Sequence, residues 1–406
     1  MRDSIRIFCV TRFLTSFALG TILPAYVLYF RHYQIDLFQI ALLAAVFEAS
    51  ILLLEIPTGL VADMFGRRIS MILSAAVSVL SGAIFIFFPF LAGFIVAEIV
   101  AGLGETLRSG ALEAWLVDSL KHEGREDRQK HAFAQGTKFK TAGNLCGLIL
   151  GGYLASLDMK LLWVPFTVIS LGLCLFLVLR MKEHYRPEKT NRTSVSTSMT
   201  ETIKQSLRVL RSQTLILGLL LLALFSEFSF ETISQYWQVH FGENLLIPTA
   251  YFGWILAGAS VVTILFVGKV ARLSERLKRD VTFLVVLEAI LLGSLLFISL
   301  AVSPVLAVVF FVLLQASVNF KEPILLDVFN RHIPSEQRAT LLSFKSLVGS
   351  GGEVLAGLCI GVVAQKFGLR ITFGLGSAVL LLGLIAFLLI VTSGFQRSRP
   401  TSDNPV

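Results

Sequence analysis

Gly59-Leu60-Val61-Ala62-Asp63-Met64-Phe65-Gly66-Arg67-Arg68 is a glycine-bounded, basic turn between two apolar stretches, near 38–60 and 70–89, each long enough to cross a bilayer. A soluble core has no need of such a connector. A short turn that carries Arg67 and Arg68 between two spans forces an antiparallel helix pair and fixes the side of the membrane on which it lies.

Composition argues the same way, because 55% of the 406 residues are hydrophobic, only 15% are charged, and 33 are Phe. Soluble domains sit far from this balance. Cys9, Cys146, Cys174 and Cys359 fall inside apolar runs without paired spacing, so neither a disulfide framework nor a metal site is expected. No Gly-x-x-x-x-Gly-Lys-(Ser/Thr) loop occurs, which argues against ATP hydrolysis, and no cofactor is expected. His122 and Asp127, spaced His-x-x-x-x-Asp, lie in a charged loop without a nucleophile or oxyanion donors, so an acyltransferase is not supported either. No small-residue cleavage site follows the first apolar run, which is expected to be retained.

Outward from the turn, apolar runs occur near 7–30, 38–60, 70–89, 93–116, 134–155 and 161–181, and again near 213–239, 247–268, 281–300, 304–328, 338–363 and 370–393. About 20 helical residues suffice to span the hydrocarbon, so twelve transmembrane helices are expected. The chain then divides into a six-helix bundle (1–181), a polar linker (182–212), a second six-helix bundle (213–395) and a tail (396–406). Of the 35 Lys and Arg, only Arg31, Lys160, Lys366 and Arg370 fall on the side opposite the termini, and six lie within spans. Both termini are therefore expected in the cytoplasm. The net charge of +8 is this bias, available to anionic lipid heads, and calls for no nucleic-acid partner.

The two halves repeat. Glu113 and Asp118 recur as Glu322 and Asp327, and Gly59 recurs as Gly268, all at an offset of 209; Gly147 and Gly151 recur as Gly357 and Gly361 at 210. Sixteen ionisable residues lie inside the spans, at least three residues from an end: Arg12, Glu48, Glu55, Glu98, Glu105, Arg108, Glu113, Lys138, Lys140, Glu227, Glu231, Glu288, Lys321, Glu322, Lys345 and Glu353. At about 2.5–3.5 kcal/mol each near a helix centre, they are too costly to face lipid. They are expected to face protein or water. Glu48 and Glu55 are seven apart and share a helix face, as do Glu98 and Glu105; Arg108 is three beyond Glu105, and Glu227 and Glu231 are four apart.

The turn resembles the signature between helices 2 and 3 of the major facilitator superfamily, Gly-x-x-x-Asp-(Arg/Lys)-x-Gly-Arg-(Arg/Lys), matched by Gly59, Asp63, Gly66, Arg67 and Arg68, with Met64 in place of a basic residue. The resemblance implies an all-α membrane fold of twelve helices in two pseudo-symmetric six-helix bundles, with a substrate cavity at their interface. It implies that helices 3, 6, 9 and 12 face lipid; apart from Arg180 and Arg370 at the very ends of spans 6 and 12, the chain has no Asp, Glu, Lys or Arg in spans 3, 6 and 12 and only Glu288 in span 9. It gives Asp63 a role in locking the halves and Arg67 and Arg68 a role in anchoring the loop, with Gly59 and Gly66 allowing close backbone approach. Span 5 reads Gly143-x-x-x-Gly147-Leu148-x-x-Gly151-Gly152, similar to the antiporter signature except that Leu148 replaces proline. In span 4, Glu98 stands where the family's coupling arginine is expected, and Arg108 comes later.

The expected function is secondary transport of a small molecule by alternating access, with proton-coupled efflux of cationic or amphipathic compounds as the leading form. Glu48, Glu105, Arg108, Glu227 and Glu231 are the expected substrate and proton pathway, because midplane carboxylates cut off from water are suited to carry protons. Glu113, Asp118, Lys321, Glu322 and Asp327 are expected to form gating ion pairs or to snorkel to the interface. The alternatives are import of a metabolite or anion, and a non-transporting sensor on the same scaffold.

Overall fold

The computed structural model describes residues 3–183, 214–332 and 356–397, which are almost entirely helical. Most of the expected linker lies outside these residues, as do Lys345 and Glu353. Nine helices among the described residues are long and apolar enough to cross a membrane. In a bilayer every backbone polar group must be satisfied within the protein, and the helix does this locally.

By packing, the chain forms two compact units, 1–190 with 236–260, and 191–235 with 261–406. The first contains α1 (Asp3–Ile22), α2 (Tyr26–His32), α3 (Leu37–Phe65), α4 (Arg67–Phe87), α5 (Leu91–Arg108), α6 (Ala111–His122), α7 (Gln129–Leu157) and α8 (Trp163–Arg180). Helix α9 (Thr214–Val239) belongs to the second unit up to Gln235, and α10 (Phe252–Leu277) belongs to it from residue 261. It is completed by α11 (Asp280–Leu300), α12 (Pro304–His332), α13 (Ala356–Phe367) and α14 (Leu369–Arg397).

Two expected spans are interrupted. The first breaks at Leu23-Pro24-Ala25 between α1 and α2, and the fourth breaks at Ser109-Gly110 between α5 and α6. Pro24 has no N–H to continue the ladder, and Gly110 takes φ 70, a left-handed conformation that side-chain-bearing residues disfavour. The loop that decides the fold is also tighter than expected. Helix α3 runs to Phe65 and α4 begins at Arg67, so Gly66 alone, at φ 97, reverses the chain. Gly59 is therefore helical, and no described atom lies within 4 Å of the position its Cβ would take. The close approach expected at Gly59 is not made. Gly66 does need its missing side chain, since the carboxyl of Glu183 fills that space.

The glycine run of span 5 meets the first helix along its length. Gly143, Gly147 and Gly151 on α7 lie against the backbone of Phe13, Phe17 and Thr21 on α1, the same four-residue step on both helices. A Cβ on Gly147 would stand 2.5 Å from the Phe17 carbonyl oxygen and 2.8 Å from the Cα of Gly20. Contact this close is how helices associate where lipid supplies no hydrophobic drive. Serines do the same work between α4 and α5, where Ser70, Ser74 and Ser81 donate to the carbonyls of Leu107, Gly104 and Ala97 at 2.6, 2.6 and 3.0 Å.

Apolar packing closes both ends of the first unit. Phe8, Met71, Trp115, Leu116 and Leu177 form a buried cluster at the end carrying the Gly66 turn. At the other end Trp163 stacks on Phe85 with centroids 3.7 Å apart, and Tyr29, Phe30 and Phe94 surround them. In the second unit α9 packs on α14, with Gly376 beside Thr232 and Gly383 beside Phe225.

Candidate functional site

The first unit concentrates its intramembrane charge on α3, α5 and α6. Arg108 donates to Glu105 one turn earlier on α5, and the two side chains are 27% and 37% exposed. Glu48, half-buried on α3, lies close enough for its carboxyl to interact electrostatically with Glu105. The two acids thus stand near each other, with Arg108 held by Glu105. Helix α3 packs along α5, with Gly102 against Ser50 and the Phe47 carbonyl, and this contact puts Glu48 and Glu105 on neighbouring helices.

Nearer the Gly66 turn, Arg12 of α1 pairs with Glu113 in the first turn of α6. The two arginines of the turn each find partners on other helices. Arg67 pairs with Asp118 on α6, while Arg68 donates to the final carbonyls of α8, to Met181 at 2.7 Å and Val178 at 3.0 Å. A cation at a helix C-terminus satisfies orphan carbonyls and complements the dipole. Glu183 closes the arrangement by accepting from the Arg68 backbone N–H at 2.8 Å, and Trp115 donates to the Lys182 carbonyl at 2.7 Å. Burial pushes the Asp118 carboxyl above its ordinary value; Arg67 opposes this, and Glu183 adds to it. Asp63 stands exposed at the end of α3.

In the second unit the charged centre is a buried triad. Lys321 on α12 reaches Glu288 on α11 at 3.0 Å and donates to Ser226 on α9 at 2.6 Å, and Ser226 donates to the other Glu288 oxygen at 2.8 Å. The Lys321 and Glu288 side chains are 7% and 2% exposed. The single acid of span 9 therefore turns into protein. Glu227 and Glu231 are half-buried on α9, whereas Glu322 and Asp327 are exposed on α12. Asp327 pairs with Arg331, which also holds Asp280 at the start of α11. The pairs of Glu113, Asp118, Lys321 and Asp327 are each internal to one unit.

Three polar features escape a reading of the spans. Glu98 is 2% exposed and accepts from the Tyr26 hydroxyl, just past the break in the first span. Arg31 makes a bidentate pair with Glu243, at 2.9 and 3.0 Å. Gln238 sits between the Leu23 carbonyl and the Val27 N–H, 2.8 Å from each. Pro24 marks the place of one of them, but each partner lies dozens to hundreds of residues away in sequence.

Comparison with known proteins agrees with this architecture. The sequence model of the Major Facilitator Superfamily matches residues 8–352 and, in an overlapping match, 238–405. A protein described as an uncharacterized MFS-type transporter, YxaM of Bacillus subtilis (strain 168), is 27% identical over 378 residues, 93% of each chain. Among solved structures, the nucleoside transporter NupG superposes with a TM-score of 0.79 at 12% identity, covering 96% of this chain and 99% of that one. A D-xylose-proton symporter gives 0.70 at 12% identity, covering 95% and 96%.

Proposed function

Because the chain belongs to the Major Facilitator Superfamily, we propose that it is a proton-coupled exporter of cationic or amphipathic small molecules, working by alternating access of two six-helix halves. Membership makes it a multi-pass membrane protein and a secondary transporter of a small molecule, and not an enzyme. The finer reading rests on one observation. Glu48 lies near Glu105, which holds Arg108 at a half-exposed site, so the local balance is acidic and one carboxyl can exchange a proton or a cation without first breaking a buried pair. Glu227 and Glu231 supply further acids in the other half.

In this scheme the cell membrane holds the protein with both termini cytoplasmic, the side rich in Lys and Arg. The Gly66 turn then lies at the cytoplasmic face, where Arg67, Asp118, Arg68 and Glu183 keep the first unit's end rigid while Asp63 stays exposed for contact with the other half. The halves follow the chain as residues 1–181 and 213–395, joined by the linker 182–212. Glu113, Asp118, Lys321, Glu322 and Asp327 set the stability of each end, and the α7 glycine stripe lets α1 and α7 move as one body.

Import is the second reading, favoured by the neighbour titled a D-xylose-proton symporter. The two differ in the sign of coupled flux. Purified protein in proteoliposomes, with ethidium as the cationic probe and an imposed pH gradient, separates them. Export by exchange predicts ethidium moving against the proton flow; movement with it, or no response to the gradient, overturns the exporter reading.

A further inference from the structure

The break in the first span is bridged by a side chain from another helix. In a continuous helix the Val27 N–H would donate to the Leu23 carbonyl, the ordinary i to i−4 bond. Here the Gln238 carboxamide occupies that rung: its oxygen accepts from Val27 N–H at 2.8 Å, and its Nε2 donates to the Leu23 carbonyl at 2.8 Å. Gln238 is 4% exposed, so neither group has water to fall back on. The neighbouring rungs are stretched. Leu23 N–H reaches Leu19 at 3.4 Å and Ala25 N–H reaches only Ile22, at 3.3 Å, before regular bonding resumes from Tyr29 to Ala25 at 2.8 Å. Ala25 itself has φ −134 and ψ 16, outside the helical region.

The surroundings of Gln238 are also irregular. Helix α9 ends at Val239 and passes at once into a π-helical turn, His240–Asn244, a conformation frequent at functional positions. That turn carries Glu243 to its bidentate pair with Arg31 at the end of α2, and Tyr236 donates to the Leu37 carbonyl at 2.8 Å. Gly253, at the start of α10, meets the backbone of Leu148 and Gly152 on α7. The 236–260 segment is thus held to the first unit by main-chain and ionic contacts at the end opposite the Gly66 turn.

We infer that Gln238 is a positioning residue for the transport cycle: its carboxamide is a removable rung that keeps the first span broken while this end is latched. The alternative state is already provided by the sequence. When Gln238 withdraws, the Val27 N–H and Leu23 carbonyl are each other's nearest partners at the i to i−4 spacing, and hydrocarbon leaves them no other. In both states the Val27 N–H and the Leu23 carbonyl have a partner, so the helix has two discrete forms instead of one strained one. Release of the latch and closure of the helix 1 ladder become one event. The inference rests on the alternating-access reading but needs neither the substrate nor the direction of transport.

The test follows the latch without any substrate. In detergent-purified protein, Ile35→Cys, a position 5% exposed at this end, is labelled with a maleimide, and exchange of the amides around Val27 is followed by mass spectrometry; the parent chain gives the background of its own cysteines. Gln238→Leu is expected to raise the labelling rate about tenfold while the Val27 amide stays as protected as in the parent, because Leu23 takes it. Unchanged labelling, or a Val27 amide that exchanges freely once Gln238 is gone, would overturn the inference. Gln238→Asn keeps the amide but is too short to fill the rung, so it should shift labelling in the same direction by less. Where Gln238→Leu fails to fold, unchanged labelling in Gln238→Asn overturns the inference by itself.

Discussion

The pair Arg108 and Glu105 in the first unit and the pair Lys321 and Glu288 in the second have the same chemistry but different surroundings. The first is 27% and 37% exposed and shares its acid's neighbourhood with Glu48; the second is 7% and 2% exposed and is completed by Ser226. A half-exposed pair keeps part of its hydration, so it gains less from its Coulomb energy and loses less when broken. A buried pair has already lost its hydration, so removing one partner strands the other. The difference separates a site that can trade partners with a ligand or a proton from one that fixes three helices together.

The largest effect expected from this contrast is in the buried triad. Lys321→Met should lower stability by about 3–5 kcal/mol in thermal unfolding of the detergent-solubilised protein, and adding Glu288→Leu should recover most of the loss. A Lys321→Met protein that melts like the parent would break the contrast. Tyr26→Phe comes next. It removes the phenolic donor from Glu98, itself 2% exposed, and should cost about 1–3 kcal/mol in the same assay, with Tyr26→Leu no milder.

These sites were legible in the sequence to different degrees, for physical reasons. The antiparallel turn at Gly66, the inward placement of Glu288 and the glycine stripe at Gly143, Gly147 and Gly151 could be read because hydrocarbon penalises each local violation independently of what packs nearby. The breaks at Pro24 and Gly110 could not. An apolar run looks the same whether its helix is continuous or interrupted, and tolerance of the break at Pro24 depends on Gln238, more than 200 residues away. Gly59 bounds the motif and so points to the turn, yet the helix continues past it to Phe65. Depth along the span groups Lys321 with the gate, whereas its partners are set by which faces of α9, α11 and α12 meet.

The exposed pair sharpens the comparison from the other side. Arg108→Ala should change thermal stability by less than about 1 kcal/mol, and a loss as large as that of Lys321→Met would make the two sites equivalent. The smallest effect is expected at Asp118. Burial raises its folded-state value above the unfolded one, so the folded protein holds that proton more tightly. Stability from this group is present below the unfolded carboxylate value and falls as pH rises from there through the raised folded value. A pH series of melting temperatures should show that slope in the parent and not in Asp118→Asn. The opposite slope would mean that Arg67 outweighs burial.

Flux measured in proteoliposomes tests the central claim most directly, with ethidium as probe and an imposed pH gradient, for the parent and for Glu105→Gln. The exposed acidic site predicts gradient-driven ethidium movement in the parent and its loss in Glu105→Gln, with the variant folded and its melting temperature little changed. Gradient-driven movement in Glu105→Gln equal to that of the parent would contradict the account.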